Sequence, residues 1–224
     1  MLLSIIVPIL NESKRMPDLL GHLLLLERHG CEVILVDGGS HDYSHEVAKS
    51  LGFTVISSPP GRARQMNIGA QAAKGDALLF LHADTRLPTF ADVLVTTALT
   101  NSGTCWGFFA TTIEGTPQML RVVSWFMNQR SLLSSIATGD QAIFMLRQTF
   151  LAVGGFPDQP LMEDIEISRR LKLISKPAVL REKVITSGRR WESRGLWKTI
   201  SLMWFLRFAY WVGVPAQRLA RYYR

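Results

Sequence analysis

The chain has 224 residues, 47% of them hydrophobic and 19% charged, which supports one compact domain with a substantial core and excludes a disordered or low-complexity chain. Lys and Arg number 25 against 18 Asp and Glu, a formal +7, and the excess lies at one end: residues 181–224 hold ten basic and two acidic groups, leaving −1 for residues 1–180. Cys31 and Cys105 have no CxxC spacing, so a zinc knuckle and a disulfide framework are excluded, and a reducing cytosol is the default compartment.

Leu2-Leu3-Ser4-Ile5-Ile6-Val7 is as apolar as a signal peptide but lacks a basic leader and a small-residue cleavage site, so Leu3 to Ile9 reads as a first strand. A helix follows from about Glu12 to Arg28, with Asn11 placed to cap its first turn. Val33 to Asp37, Phe53 to Ser57 and Ala77 to His82 read as the next strands. Pro59-Pro60 keeps the chain extended before a helix that opens at Gly61-Arg62-Ala63-Arg64-Gln65. Strands alternating with helices imply parallel βαβ units, and ligands of open α/β sheets bind beyond the carboxyl ends of the strands. Asn11-Glu12, Asp37-Gly38-Gly39-Ser40, Gly61-Arg62 and Asp84 therefore map to one rim.

The second half is less regular. Strands are expected at Thr104 to Ile113, Ala142 to Leu146 and Val179 to Ile185, with helices at Pro117 to Ile136 and Met162 to Ile174. The stretch from Leu196 to Val214 is apolar but interrupted by Lys198 and Arg207, which disfavours a membrane span. Its aromatic residues beside basic ones suit a helix lying at a membrane interface, or equally one packed on the domain.

Taken singly these motifs have ordinary readings: a helix start at Asn11-Glu12, a turn at Asp37-Gly38, an acidic helix N-terminus at Glu163-Asp164. A Rossmann dinucleotide site is excluded because no glycine-rich loop follows the first strand, and GxxxxGK[ST] is absent. As an ordered set, Ser4-Ile5-Ile6-Val7-Pro8-Ile9-Leu10-Asn11-Glu12, Val36-Asp37-Gly38-Gly39-Ser40, Phe80-Leu81-His82-Ala83-Asp84-Thr85 and Met162-Glu163-Asp164 resemble the family 2 glycosyltransferases. The resemblance implies an α/β GT-A fold, a mostly parallel central sheet flanked by helices, over residues 1–192, with a basic amphipathic helical segment at 193–224.

The same resemblance implies an inverting, metal-dependent transfer of a sugar from a UDP- or GDP-sugar to an acceptor hydroxyl. Pro8, Asn11, Glu12, Asp37 and Gly38 would hold the nucleoside, and Arg62, Gln65 and Arg190 the diphosphate. A carboxylate at 37 suits a base edge that offers a donor, and Arg62 and Gln65 share one face at a helix N-terminus, where phosphate is favoured. The family's Asp-x-Asp motif begins here with His82, leaving Asp84 to hold Mg²⁺ or Mn²⁺ with the phosphates; His82 reads as a space-filling neighbour more readily than as a ligand. Asp164 is the expected base and Glu163 the second choice. Asp140, Gln141 and Trp191 would contact the acceptor. With Ser187 at the glutamine position of the family's Gln-x-x-Arg-Trp element, a processive polymerase is disfavoured. The acceptor is unnamed, lipid-linked or membrane-proximal ones being compatible with the basic tail; the place is the cytoplasm, with peripheral contact at the inner membrane face through 196–224 and no nucleic-acid partner. The other function classes are a sugar nucleotidyltransferase and a non-catalytic membrane-surface protein.

Overall fold

The structure, a computed structural model, describes residues 1–101 and 103–223. Its first half follows the aliphatic runs. Strand β1 (Leu3–Ile9) leads through a 3₁₀ turn at Ser13–Arg15 into α1 (Met16–Arg28), then come β2 (Glu32–Asp37), α2 (Ser44–Ser50), β3 (Thr54–Ser57), α3 (Arg62–Ala72) and β4 (Ala77–Phe80). Asn11 does not cap α1. It takes a left-handed conformation (φ 55°), and its Oδ1 accepts the His41 N–H at 2.9 Å, which ties the loop after β1 to the loop after β2. The second half contributes β5 (Thr85–Arg86), α4 (Ala91–Asn101), β6 (Trp106–Glu114), α5 (Met119–Ser134), β7 (Phe144–Leu146), α6 (Arg147–Ala152), α7 (Glu163–Leu171), β8 (Ala178–Ser187), α8 (Arg189–Arg194), α9 (Leu196–Trp211) and α10 (Ala216–Tyr223).

The strands form one sheet in the order β3-β2-β1-β4-β7-β6-β8-β5. Strands β3, β2, β1 and β4 are mutually parallel, β7 runs antiparallel to both β4 and β6, and β8 is parallel to β6 and antiparallel to β5. The parallel half legible in the sequence is thus extended by a mixed half.

Alternation along β1 assigns its side chains to two cores. Ile5 and Val7 meet Leu19, Leu20 and Leu23 of α1 on one face, a core continued by Val95 and Leu99 of α4. Ile6 meets Ala63, Met66 and Ala70 of α3 on the other, a core shared with Ile167 and Leu171 of α7. Helix α3 approaches the sheet closely because Gly69 has no side chain: a Cβ there would stand 2.5 Å from Cγ2 of Ile6. The tail is helical, as expected, and packs on the domain, with Leu206 and Ala209 of α9 and Leu219 of α10 against Leu161, Met162 and Ile165. Among the described residues no helix is long and apolar enough to cross a membrane.

Candidate functional site

A cavity of about 620 Å³ opens at the carboxyl ends of β1 and β4, within the range of small-molecule sites. Ten of the fourteen residues singled out in the sequence line it: Pro8, Glu12, Arg62, Gln65, Asp84, Asp140, Glu163, Asp164, Arg190 and Trp191. Asn11, Asp37, Gly38 and Gln141 do not.

The acidic side is set by Met162, a non-glycine residue in the left-handed region (φ 66°) immediately before α7. Such conformations cost about 1–3 kcal/mol and persist only where the surroundings enforce them. The turn delivers Glu163 and Asp164 into the first helical turn facing the cavity. Asp164 Oδ2 accepts the Gly139 N–H at 2.9 Å, and Oδ1 accepts its neighbour Ile165 N–H at 2.8 Å. Burial and the adjacent Glu163 carboxylate push Asp164 up to about 6, against the opposing pull of those two N–H groups and Arg62. Glu163 is buried and stands 3.5 Å from Nη1 of Arg62. That leaves Asp164 as the carboxylate of the pair without an arginine within ion-pair distance among the described residues.

Arg62 is positioned by Gly61, which precedes α3 at φ 137°, a backbone conformation that favours glycine. Burial works against its charge, but Glu163, Asp140, Asp164 and Asp84 outweigh it and raise its pKa. Arg190 is pushed the other way, by burial and then by Arg62 and Arg194. Its guanidinium lies 4.2 Å from the centre of the Tyr223 ring, a cation–π contact, and Arg194 Nη1 donates to the Tyr223 carbonyl at 2.9 Å. Arginines pressed together in this way form a site whose repulsion an anion relieves.

His82 packs on the loop that carries Asp140. Its Nδ1 is 3.2 Å from Asp140 Oδ1, and a Cβ on Gly139 would fall 2.3 Å from its Cε1, so only glycine fits there. Burial opposes ionisation of Asp140, yet His82, Arg62 and Arg190 hold its pKa below the usual carboxylate range. Asp84 faces the cavity, fixed by its carbonyl accepting from Ser187 N–H at 3.1 Å, the contact that also brings Arg189 and Arg190 alongside. Arg15 Nη1 lies 3.7 Å from both Asp84 and Glu12, buried and without a hydrogen-bond partner. Burial raises the Glu12 pKa, against the pull of Arg15 and Arg189. No group of three or more His, Cys, Asp or Glu among the described residues is arranged to hold a metal alone, so a cation at Asp84 would need ligand oxygens from a bound phosphate.

Several expected contacts are spent inside the protein. The Gln65 amide donates to the carbonyls of Ile9 and Val36 at 2.9 and 2.8 Å, bridging the ends of β1 and β2. Gly38 lies against that amide, a Cβ there standing 3.0 Å from it. Gln141 corrects the acceptor reading: it is fully buried, its oxygen accepting from Ser131, Thr138 N–H and Thr138 Oγ1 and its amide donating to Phe109 O, so it has no face for a ligand. Asp37 sits one strand away from the cavity, where Ser40 Oγ donates to it at 2.5 Å and His45 stands 3.7 Å off. Sequence reading missed Arg189, Arg194, Thr199, Met203, Arg207 and Tyr223 as cavity walls. The spacing of 199, 203 and 207 on an apolar helix was a usable signal; nothing marked Tyr223.

The profile of glycosyl transferase family 2 matches residues 4–153. An uncharacterized glycosyltransferase of Haemophilus influenzae is 41% identical over 86 residues, covering 37% of this chain and 29% of that protein. An undecaprenyl-phosphate 4-deoxy-4-formamido-L-arabinose transferase of Aeromonas hydrophila is 33% identical over 98 residues, 39% of this chain and 30% of that protein. The chain thus spans less than a third of these curated relatives. Among solved structures, Staphylococcus aureus TarS 1-349 in complex with UDP superposes with a TM-score of 0.67 at 17% identity, covering 84% of this chain and 60% of that one. The mannosyltransferase PcManGT from Pyrobaculum calidifontis, in complex with GDP-Man and Mn²⁺, superposes with 0.65 at 17% identity, covering 92% and 60%. These neighbours show the GT-A fold.

Proposed function

The chain belongs to glycosyl transferase family 2, and from that membership we propose that it transfers a sugar, with inversion, from a UDP- or GDP-sugar to an acceptor hydroxyl. The observation that carries the reading is the meeting of Asp84, Asp164, Arg62 and Arg190 in one cavity, although they come from four separate segments. The nucleotide complexes of the two structural neighbours support the donor class.

In this reading Asp164 takes the proton of the acceptor hydroxyl as its oxygen attacks the anomeric carbon, and the nucleoside diphosphate leaves toward Arg62 and Arg190. A carboxylate titrating at about 6 is charged at neutral pH and remains basic enough to take part in proton transfer. Glu163, paired with Arg62, orients that guanidinium. Asp84 would hold Mg²⁺ or Mn²⁺; its carboxylate and the donor's phosphates are the oxygen set that Mg²⁺ favours, and the Arg15 guanidinium, ion-paired with Asp84 and Glu12 but with Nη1 free of a hydrogen bond, can shift toward phosphate. When bound, the cation supplies Lewis-acid stabilisation of the departing diphosphate. Pro8 and Glu12 would flank the nucleoside, and Asp37, whose carboxylate retains acceptor capacity beside Ser40, would read a base N–H at the cavity's edge. Asn11 and Gly38 would shape that edge through the backbone, and Gln65 would support it from beneath. Trp191 and Asp140 would face the acceptor.

The likeness to an undecaprenyl-phosphate sugar transferase supports a lipid-linked acceptor. We place the chemistry in the cytoplasm, with residues 196–224 on the side nearest the inner membrane face. Hydrolysis of UDP-, GDP- and TDP-sugars with Mg²⁺ or Mn²⁺ tests the reading without knowledge of the acceptor. Slow release of a nucleoside diphosphate from one donor is expected. Inertness toward all donors would overturn the reading, and release of pyrophosphate from a nucleoside triphosphate would replace transfer with nucleotidyl chemistry.

A further inference from the structure

Helix α9, which walls the cavity, and helix α5 each turn a row of large apolar side chains to solvent. On α5, Trp125 and Phe126 are 56% and 60% exposed and Leu133 is 85% exposed. On α9, Trp197, Trp204, Phe208 and Trp211 recur at intervals of seven, four and three and are between 62% and 72% exposed. The opposite side of α9 presents Thr199, Met203 and Arg207 to the cavity, so this one helix separates the site from whatever covers its outer face.

Helix α5 is tied to the same side at both ends. Thr116, just before it, donates to Glu192 of α8, and Ile136, just after it, packs on the cluster that holds Leu206 and Ala209 of α9. Charge identifies the occupant. Arg121, Lys198, Arg218 and Arg221 are exposed around these helices, whereas Arg130 is turned inward toward Asp164 and Asp140, and Arg194 and Arg207 line the cavity. The adjoining acidic residues Glu114 and Glu192 are held by Arg86 and Thr116, so the surface is net basic. A symmetric pairing of two copies through this face would set cation against cation, whereas an anionic lipid surface complements it. Four of the six tryptophans lie in the two rows, and tryptophan favours the headgroup level of a bilayer. Helix α9 has 16 residues, about 24 Å of helix against a hydrocarbon core of about 30 Å, a length for lying along the interface.

We propose that the outer faces of α5 and α9 form one docking surface for a bilayer carrying anionic headgroups. This deepens the tail contact in the reading above by adding α5 and fixing which side of α9 meets lipid; the consequence that the acceptor reaches the cavity from the lipid phase rests on that reading. The test is flotation of the full chain, without donor, on vesicles of phosphatidylglycerol mixed with phosphatidylcholine, compared with phosphatidylcholine alone. Strong binding to the mixed vesicles, weakened by salt and by omission of phosphatidylglycerol, is expected. Trp204→Glu with Phe208→Glu, and separately Trp125→Glu with Phe126→Glu, should each reduce the bound fraction roughly tenfold while circular dichroism stays unchanged. Failure of the wild-type chain to float, flotation indifferent to both double substitutions, or a stable dimer that either one dissociates would overturn the proposal. Flotation by a chain that hydrolyses no donor upholds the surface and counts against the transferase reading alone.

Discussion

The Gly139 backbone N–H donates to Asp164 Oδ2 at 2.9 Å, joining the turn before β7 to the first turn of α7, 25 positions on in the chain. With Ile165 N–H on the other oxygen, the carboxylate is held in one orientation toward the cavity. Asp164→Asn removes the negative charge and can present only one oxygen to the two donors. Nucleotide binding should persist while transfer falls roughly 10²-fold or more, the scale of general-base catalysis. Isothermal titration with UDP and GDP, beside turnover, checks this; turnover like that of the wild type would remove Asp164 from the role.

The raised pKa of Asp164 gives a pH dependence of defined sign. The base works ionised, so kcat/KM should climb through about pH 6 and level above it. A rate that is flat between pH 5 and 7 would contradict the assignment.

Stability should run the other way. The folded chain keeps the Asp164 proton up to about pH 6, whereas an unfolded aspartate releases it near 3.9, so folding loses stability between those values and carries the full penalty above them. Asp164→Asn escapes that penalty. Its melting temperature relative to wild type should therefore be higher at pH 8 than at pH 5, measured by calorimetry. An equal difference at both pH values would show that the carboxyl is not perturbed.

Gln65→Leu separates a structural role from a binding one. The Ile9 carbonyl would keep the Gly38 N–H that it also accepts at 3.0 Å, so the change removes two buried hydrogen bonds without orphaning both carbonyls, at about 0.5–1.5 kcal/mol each. Urea unfolding should show a loss of about that size. Unchanged stability with weakened donor binding would instead assign the amide to the diphosphate.

Asp84→Ala should abolish the response of donor hydrolysis to added Mn²⁺ or Mg²⁺. The check is a metal titration after treatment with chelator. If wild type and variant respond alike, Asp84 does not hold the cation.

Where the chain follows βαβ alternation, the sequence reveals both elements and rim, because strands buried on both faces must be continuously apolar. Helix α4 was not foreseen: Val93, Val95, Thr96, Thr97 and Thr100 favour strand locally, and only burial of Ala91, Val95 and Leu99 on one face makes it helical. Strand β5 has two residues and exists through pairing with β8, a partner about a hundred positions away. At the site, charged residues were legible because ionised groups seek ligands or partners. Gln141 departs from its acceptor reading because an amide satisfies buried backbone as well as it binds a ligand, and Gln65, which lines the cavity while bridging two carbonyls, carries the same ambiguity, which sequence does not resolve. Within the tail, the separation of polar and apolar faces is sharpest in α10, whereas α9 sets an exposed aromatic row against a side that faces the cavity and the core.

Pro8 and Tyr223 stand in the walls of the same cavity. A fragment that lacks either end therefore lacks part of the cavity wall, and a proteolytic nick that releases either end should impair the site. Catalysis then serves as a reporter of complete folding, and saturating nucleotide should protect both termini from digestion together.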